Sequence, residues 1–169
     1  MRVTFGEPAA RTTGRIRSDA FVSYERTRER NVAANNSAVA VGDERKQEFP
    51  PLTRTMFVRY AGASGDFNPM HHDDTIAAQV GNPSVFGHGM LSMGLAARVV
   101  KDWFGAEAMR VLKVRFAKQV WPGETLSFTA RVTGREPAAD GGLVDLDLTA
   151  TNQDGEVKLT GTATATLSE

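Results

Sequence analysis

Between Met90 and Phe104 the chain carries a helical segment with almost no polar face, and the four segments after it alternate apolar and polar residues with a period of two. No other feature of the 169 residues limits the fold as much. In the helix, Met90, Leu91, Met93, Leu95, Ala96 and Ala97 are interrupted only by Ser92 and Gly94, and polar residues return as Arg98, Lys101 and Asp102. A helix apolar on every side must be buried by its surroundings, and Gly105 is placed to end it. Downstream, Leu112, Val114 and Phe116 alternate with Lys113 and Arg115. Leu126, Phe128, Ala130 and Val132 alternate with Ser127, Thr129 and Arg131, and Val144, Leu146, Leu148 and Ala150 with Asp145, Asp147 and Thr149. Val157, Leu159, Ala163 and Leu167 share one parity of the last segment. Turn residues at Trp121-Pro122-Gly123, Asp140-Gly141-Gly142 and Asn152-Gln153-Asp154-Gly155 separate the runs. Hairpin spacing predicts an antiparallel sheet with one apolar face. That face needs a cover and the helix needs a wrapper, so the economical fold is α+β, a sheet curled around one central helix.

Upstream, Val39, Val41 and Gly42-Asp43 predict a short opening strand and turn, followed by an extended piece through Phe49-Pro50-Pro51. Thr53 is placed to cap a helix with Met56, Phe57 and Tyr60 on one face. The run from Gly62 to Pro69 breaks it with two glycines and a proline. A short helix over about Asp73–Gln79 ends at Gly81, and irregular chain leads on to His88-Gly89. Residues 1–36 hold seven arginines against four acids, a net +3, with few large apolar side chains and no sustained period. Such a segment buries too little surface to offset its ordering entropy. The expected organisation is therefore a disordered N-terminal extension over 1–36 before a single domain over 37–169.

Composition narrows the function. With 20 basic and 20 acidic residues the formal charge is zero, which argues against nucleic-acid or acidic-membrane partners. Without cysteine there is no disulfide framework, zinc finger or thiol nucleophile. Apolar runs fall far short of the ~20 residues that span a bilayer, and no apolar leader follows Met1. A cytoplasmic protein is expected.

All three histidines, His71, His72 and His88, lie in one short window with Asp66, Asn68, Asp73 and Asp74. Asp66 and His71 are an acid–base pair by type, able to hold a water and share its proton near neutral pH. Asn68 suits a loop tied back on itself, and Pro69 stiffens the approach to His71. The alternative is a solvated loop in which Asp66 caps the next helix. A metal site in His71-His72-Asp73-Asp74 is disfavoured because sequence neighbours point apart. Gly62-Ala63-Ser64-Gly65 is not a nucleophile elbow: Asp66 stands where glycine is required, after a helix rather than a strand. His88-Gly89-Met90 opens the apolar helix, whose free N–H groups form a donor site for a developing oxyanion. His88 capping that helix is the plainer reading, and the two are compatible.

Tyr60-Ala61-Gly62-Ala63-Ser64-Gly65-Asp66-Phe67-Asn68-Pro69-Met70-His71-His72-Asp73, with Ala77, resembles the hydratase-2 motif of the MaoC-like (R)-specific enoyl-thioester hydratases and dehydratases. Gly87-His88-Gly89-Met90-Leu91-Ser92-Met93-Gly94 is similar to the family's entry into its central helix, and Arg115-Phe116 with Pro122-Gly123-Glu124-Thr125-Leu126 to its strand–turn–strand signature. The resemblance covers about residues 38–168. Within the family the chain looks most like the catalytic (3R)-hydroxyacyl-ACP dehydratase subunit of actinobacterial type-II fatty-acid elongation. Met70 stands where Leu or Ile is commoner. The resemblance implies a hot-dog fold and dimers paired through edge strands, as a homodimer or with another hot-dog subunit. It also implies catalysis by Asp66 and His71, structural roles for Asn68, Ser64 and Gly65, and a backbone donor at Gly89 to the thioester oxygen. No metal or cofactor is implied, CoA or acyl-carrier protein being part of the substrate.

The expected reaction is reversible hydration of trans-2-enoyl thioesters, or dehydration of (3R)-hydroxyacyl thioesters. A hot-dog thioesterase is the alternative, as is a subunit active only beside a different hot-dog chain. A non-catalytic subunit would be expected to lack the Asp66–His71 pair, which is intact here. The basic residues Arg110, Lys113, Arg115 and Lys118 either meet the carrier or form the solvated face of a strand.

Overall fold

The computed structural model describes residues 39–136 and 142–167; the expected disordered extension over 1–36 lies outside them. Five strands, β1 (Glu44–Phe49), β2 (Met109–Phe116), β3 (Leu126–Glu136), β4 (Leu143–Thr151) and β5 (Val157–Thr166), form one sheet. Its order is β1-β3-β4-β5-β2, and every pairing is antiparallel. Helix α3 (Gly89–Phe104) packs against β1, β2, β3 and β5. This is the sheet wrapped around one helix that the apolar pattern requires, a hot-dog domain.

Alternation and burial agree fully in the middle of the sheet. Leu126, Phe128, Ala130 and Val132 of β3 and Val144, Leu146, Leu148 and Ala150 of β4 are all buried, with Phe128 opposite Ala150 and Val132 opposite Leu146. Phe128 faces Ala150 and Leu148 faces Ala130 across the ladder, large against small, which lets neighbouring side chains pack on the inner face.

Four expectations need correction. The opening strand follows the turn: Gly42 takes φ 99°, Asp43 accepts the Ala40 N–H at 2.9 Å, and β1 begins only at Glu44. Side-chain competition for the backbone folds residues 40–43 before pairing can start. The first helix, α1 (Arg54–Ser64), is capped by Thr53 but runs through Gly62, ending where Gly65 adopts the left-handed conformation. Helix α3 is not covered all round: its buried residues are Ser92, Ala96, Val99, Val100 and Phe104, while Met90 is exposed. One sheet from one chain covers only one side of a helix. Last, Phe116 at the end of β2 is exposed, and in β5 Val157 is exposed and Lys158 buried, against the expected parity that Leu159, Ala163 and Leu167 keep. The β4–β5 register slips as Ala150 pairs with Leu159 and Thr151 with Val157. Lys158 is the extra residue of that bulge, and bulges redirect side chains.

Two short elements complete the chain: helix α2 (Asp74–Gln79), capped by Asp73, and a 3₁₀ turn over Pro69–His71, capped by Asn68.

Candidate active site

The segment after α1 is shaped by its own side chains. Ser64 Oγ donates to the Tyr60 carbonyl at 2.8 Å and accepts the Asp66 N–H at 3.2 Å. Gly65, at φ 76°, turns the chain out of the helix, a conformation that disfavours any Cβ. Asp66 Oδ1 accepts the Asn68 N–H at 3.3 Å, and Asn68 Oδ1 accepts the Met70 N–H at 3.1 Å. These nested turns use one oxygen of Asp66 and leave Oδ2 directed elsewhere. Asp66 does not cap a helix; that work falls to Asn68 and Asp73.

Oδ2 of Asp66 lies 3.9 Å from Nε2 of His71 and 4.0 Å from Nε2 of His88. His71 is buried and Asp66 half-exposed. Nδ1 of His71 is 2.7 Å from the carbonyl of Phe86. A carbonyl only accepts, so Nδ1 carries the proton and Nε2 faces Asp66 with its lone pair free. Burial, foremost, lowers the His71 pKa below the usual 6.5, against the opposing effect of the Phe86 carbonyl. The imidazole is therefore neutral and basic at neutral pH. A separation of 3.9 Å is too long for a direct hydrogen bond and lets one water oxygen reach both groups.

His88, expected to cap α3, makes no capping bond. Its buried ring turns back across 22 residues, and Nε2 donates to the carbonyl of Asp66 at 3.0 Å. The ring stacks on His71 with centroids 3.8 Å apart, and Tyr60 packs on it at 4.9 Å. The local sequence points to a cap, whereas the clustering of all three histidines in one short window is the signal that could have placed His88 here. Asp66, His71 and His88 lie close enough to ligate one metal ion. Ligation through His88 Nε2 would cost its bond to Asp66, so the arrangement suits proton transfer better. His72 is exposed and tied to the Phe67 carbonyl at 3.1 Å, and Asp74 pairs with Arg54 at 2.8 Å. The sequence neighbours of His71 are thus engaged elsewhere.

Beside His88, α3 begins. The N–H groups of Gly89 and Met90 make no hydrogen bond among the described residues, leaving the positive end of the helix unfilled. A Cβ at Gly89 would lie 3.0 Å from the Phe116 ring, so any side chain here pushes on that ring. A cavity of about 360 Å³ opens at this turn, lined by Phe86, Gly89, Ser92, Phe116, Val120 and Lys158.

Its far wall is held by a buried charge cluster absent from the sequence reading. Lys158 Nζ is 2.7 Å from Glu124 Oε1 and 2.6 Å from Glu156 Oε2 and donates to the Gln119 carbonyl at 3.0 Å. Asn152 Nδ2 and the Trp121 N–H each reach Glu124 at 2.9 Å. Burial alone would lower the Lys158 pKa, but its two carboxylate partners outweigh burial and raise it above the usual lysine value. Glu156 is held down at about 2 by Lys118 and then by Lys158. The cluster ties the β2–β3 loop to the β4–β5 turn.

A sheet wrapped around one helix, with an Asp–His pair beside the helix's free N-terminus, defines a hot-dog domain. The profile of the MaoC-like domain family matches residues 35–153, and the chain belongs to that family. It is 43% identical over 68 residues, 38% of this chain, to a 3-hydroxyacyl-thioester dehydratase Y of Mycobacterium tuberculosis. That match is 23% of the relative's length, and the match to the Saccharomyces cerevisiae peroxisomal hydratase-dehydrogenase-epimerase is 7% of that protein; the chain spans well under two thirds of these relatives. The R-hydratase PhaJ1 from Pseudomonas aeruginosa superposes with a TM-score of 0.71 at 24% identity, covering 80% of this chain and 86% of that one. The ChsH1-ChsH2 complex from Mycobacterium tuberculosis gives 0.66 at 25% identity, covering 76% and 98%. Among the described residues no helix is long and apolar enough to cross a membrane.

Proposed function

We propose that the chain is a hydro-lyase that adds water reversibly to trans-2-enoyl thioesters, forming (3R)-hydroxyacyl thioesters of CoA or acyl-carrier protein. One observation carries this reading: a carboxylate oxygen and an unprotonated imidazole nitrogen 3.9 Å apart, beside a helix N-terminus with free donors. In the hydration direction a water between Asp66 Oδ2 and His71 Nε2 adds its oxygen to the β-carbon. The dyad takes a proton from that water and returns one to the α-carbon, so the sum is the addition of one water. The electron pair of the double bond passes through the thioester carbonyl, whose oxygen gains charge while bound to the Gly89 N–H. Loss of one such donor costs about 3–4 kcal/mol where it has been measured in other enzymes. Asn68, Ser64 and Gly65 hold Asp66 in place. The names of the dehydratase and R-hydratase relatives support this chemistry.

The working unit is proposed to be a pair of hot-dog subunits, identical or different. Met90, Val111 and Phe116 are exposed on the uncovered part of α3 and on the edge strand β2, and a similar solved structure is a two-component complex. Apolar surface of this kind marks an interface.

The test is the enoyl-thioester absorbance of crotonyl-CoA and a longer trans-2-enoyl-CoA mixed with purified protein. Loss of absorbance with CoA still attached supports the hydratase. Free CoA with the double bond intact identifies a thioesterase instead.

A further inference from the structure

We propose that His88 is a positioning residue that sets the Asp66–His71 separation, a role that rests on the hydratase reading above. Four observations at His88 converge. Its side chain is buried to within 1%, yet it makes no cap for the helix it precedes. Its Nε2 donates to the main-chain carbonyl of Asp66 at 3.0 Å, fixing the backbone that carries the carboxylate. Its ring lies on His71 at 3.8 Å with planes 29° apart, so it limits the tilt of the second partner. Its Nδ1 is buried with no hydrogen-bond partner.

The last fact explains the first three. An imidazole with one nitrogen committed as a donor and the other without any acceptor has a single comfortable state, neutral and protonated at Nε2. A proton on Nδ1 would leave a buried N–H unpaired, which costs more than leaving a lone pair there. His88 is thus wedged between the two partners of the dyad. It touches both, the Asp66 main chain through a hydrogen bond and His71 through a ring face. The Tyr60 ring at 4.9 Å closes its other side. A ring that only filled space would not need to aim Nε2 at one particular carbonyl.

The two contacts separate in two variants. Gln at position 88 keeps a donor near Nε2 but removes the ring; Phe keeps the ring and removes the donor. Steady-state hydration of crotonyl-CoA is measured for wild type, His88→Gln and His88→Phe, with thermal melts of each. The expected result is a kcat loss of about 100-fold in His88→Phe, the scale of a misplaced reacting group, with KM nearly unchanged. His88→Gln should recover at least tenfold of that loss, and neither melt should explain the difference. Equal kcat in His88→Phe and wild type overturns the proposal, as do losses that follow the melts in both variants. If the wild type is silent on this CoA thioester, the geometry is tested alone by long-range ¹H–¹⁵N spectra. His88 should then be the Nε2–H tautomer, as its bond to the Asp66 carbonyl requires. An Nδ1-protonated His88 overturns it.

Discussion

The middle of the sheet and the rim around α3's first turn obey different rules. In β3 and β4 eight apolar residues alternate with polar ones and all eight are buried. At the rim the same reasoning fails repeatedly: Phe116 is exposed, Lys158 is buried in a bulge, and a histidine expected to cap a helix reaches 22 residues back instead. The interior is selected for packing, which a binary pattern records. The rim must hold polar groups at fixed distances, so it departs from the pattern where chemistry is required.

That contrast can be broken from either side. The largest effect on activity is expected at the dyad. Asp66→Asn and His71→Ala should each lower kcat by about 10²–10⁴, the range for lost acid–base catalysis, with melts near wild type. Leu146→Ala, on the buried face of β4, should do the opposite. It should cost about 2–5 kcal/mol of stability while kcat at low temperature stays within a few-fold of wild type, as denaturant unfolding and assay together would show. Lys158→Met sits between the two. Removing one partner of a buried charge pair costs about 3–5 kcal/mol, and because the cluster holds the cavity wall, KM should rise as well.

A smaller effect is expected at Gly89. Ala places a Cβ 3.0 Å from the Phe116 ring, so Gly89→Ala should lower kcat by about tenfold as the turn shifts. Phe116→Leu added to it should restore part of the loss by giving the methyl group room. Smallest is the pH effect. Because burial lowers the His71 pKa below 6.5, the acid limb of kcat/KM should fall below the value of a free imidazole. The unfolded chain takes up this proton first, so stability should decline as pH falls below 6.5 toward the lowered folded value and be flat above it.

The sequence made the architecture legible because an apolar helix and period-two strands have few ways to bury each other. Asp66, Asn68 and His71 were legible because they are close in sequence and their spacing carries the chemistry. What escaped was long-range or depended on a shifted register. Parity reasoning assumes an unbroken ladder, and the bulge at Lys158 breaks it at Val157 and Lys158. The turn at residues 40–43 rests on one side-chain acceptor at Asp43, which competes with the strand that Val39 and Val41 suggest. The partial exposure of α3 was missed because a helix apolar all round implies full cover, and the described residues leave part of it, Met90 included, exposed.

The central claim is that Asp66 and His71 together move a proton while a water adds across the double bond. Its most direct test is mass spectrometry of crotonyl-CoA incubated with the protein in D₂O, alongside the Asp66→Asn/His71→Ala double variant. The account predicts a 3-hydroxybutyryl thioester with CoA still attached, one non-exchangeable deuterium at C2, and no product above background from the double variant. Equal product from the double variant, or crotonate released from CoA without hydration, would contradict it.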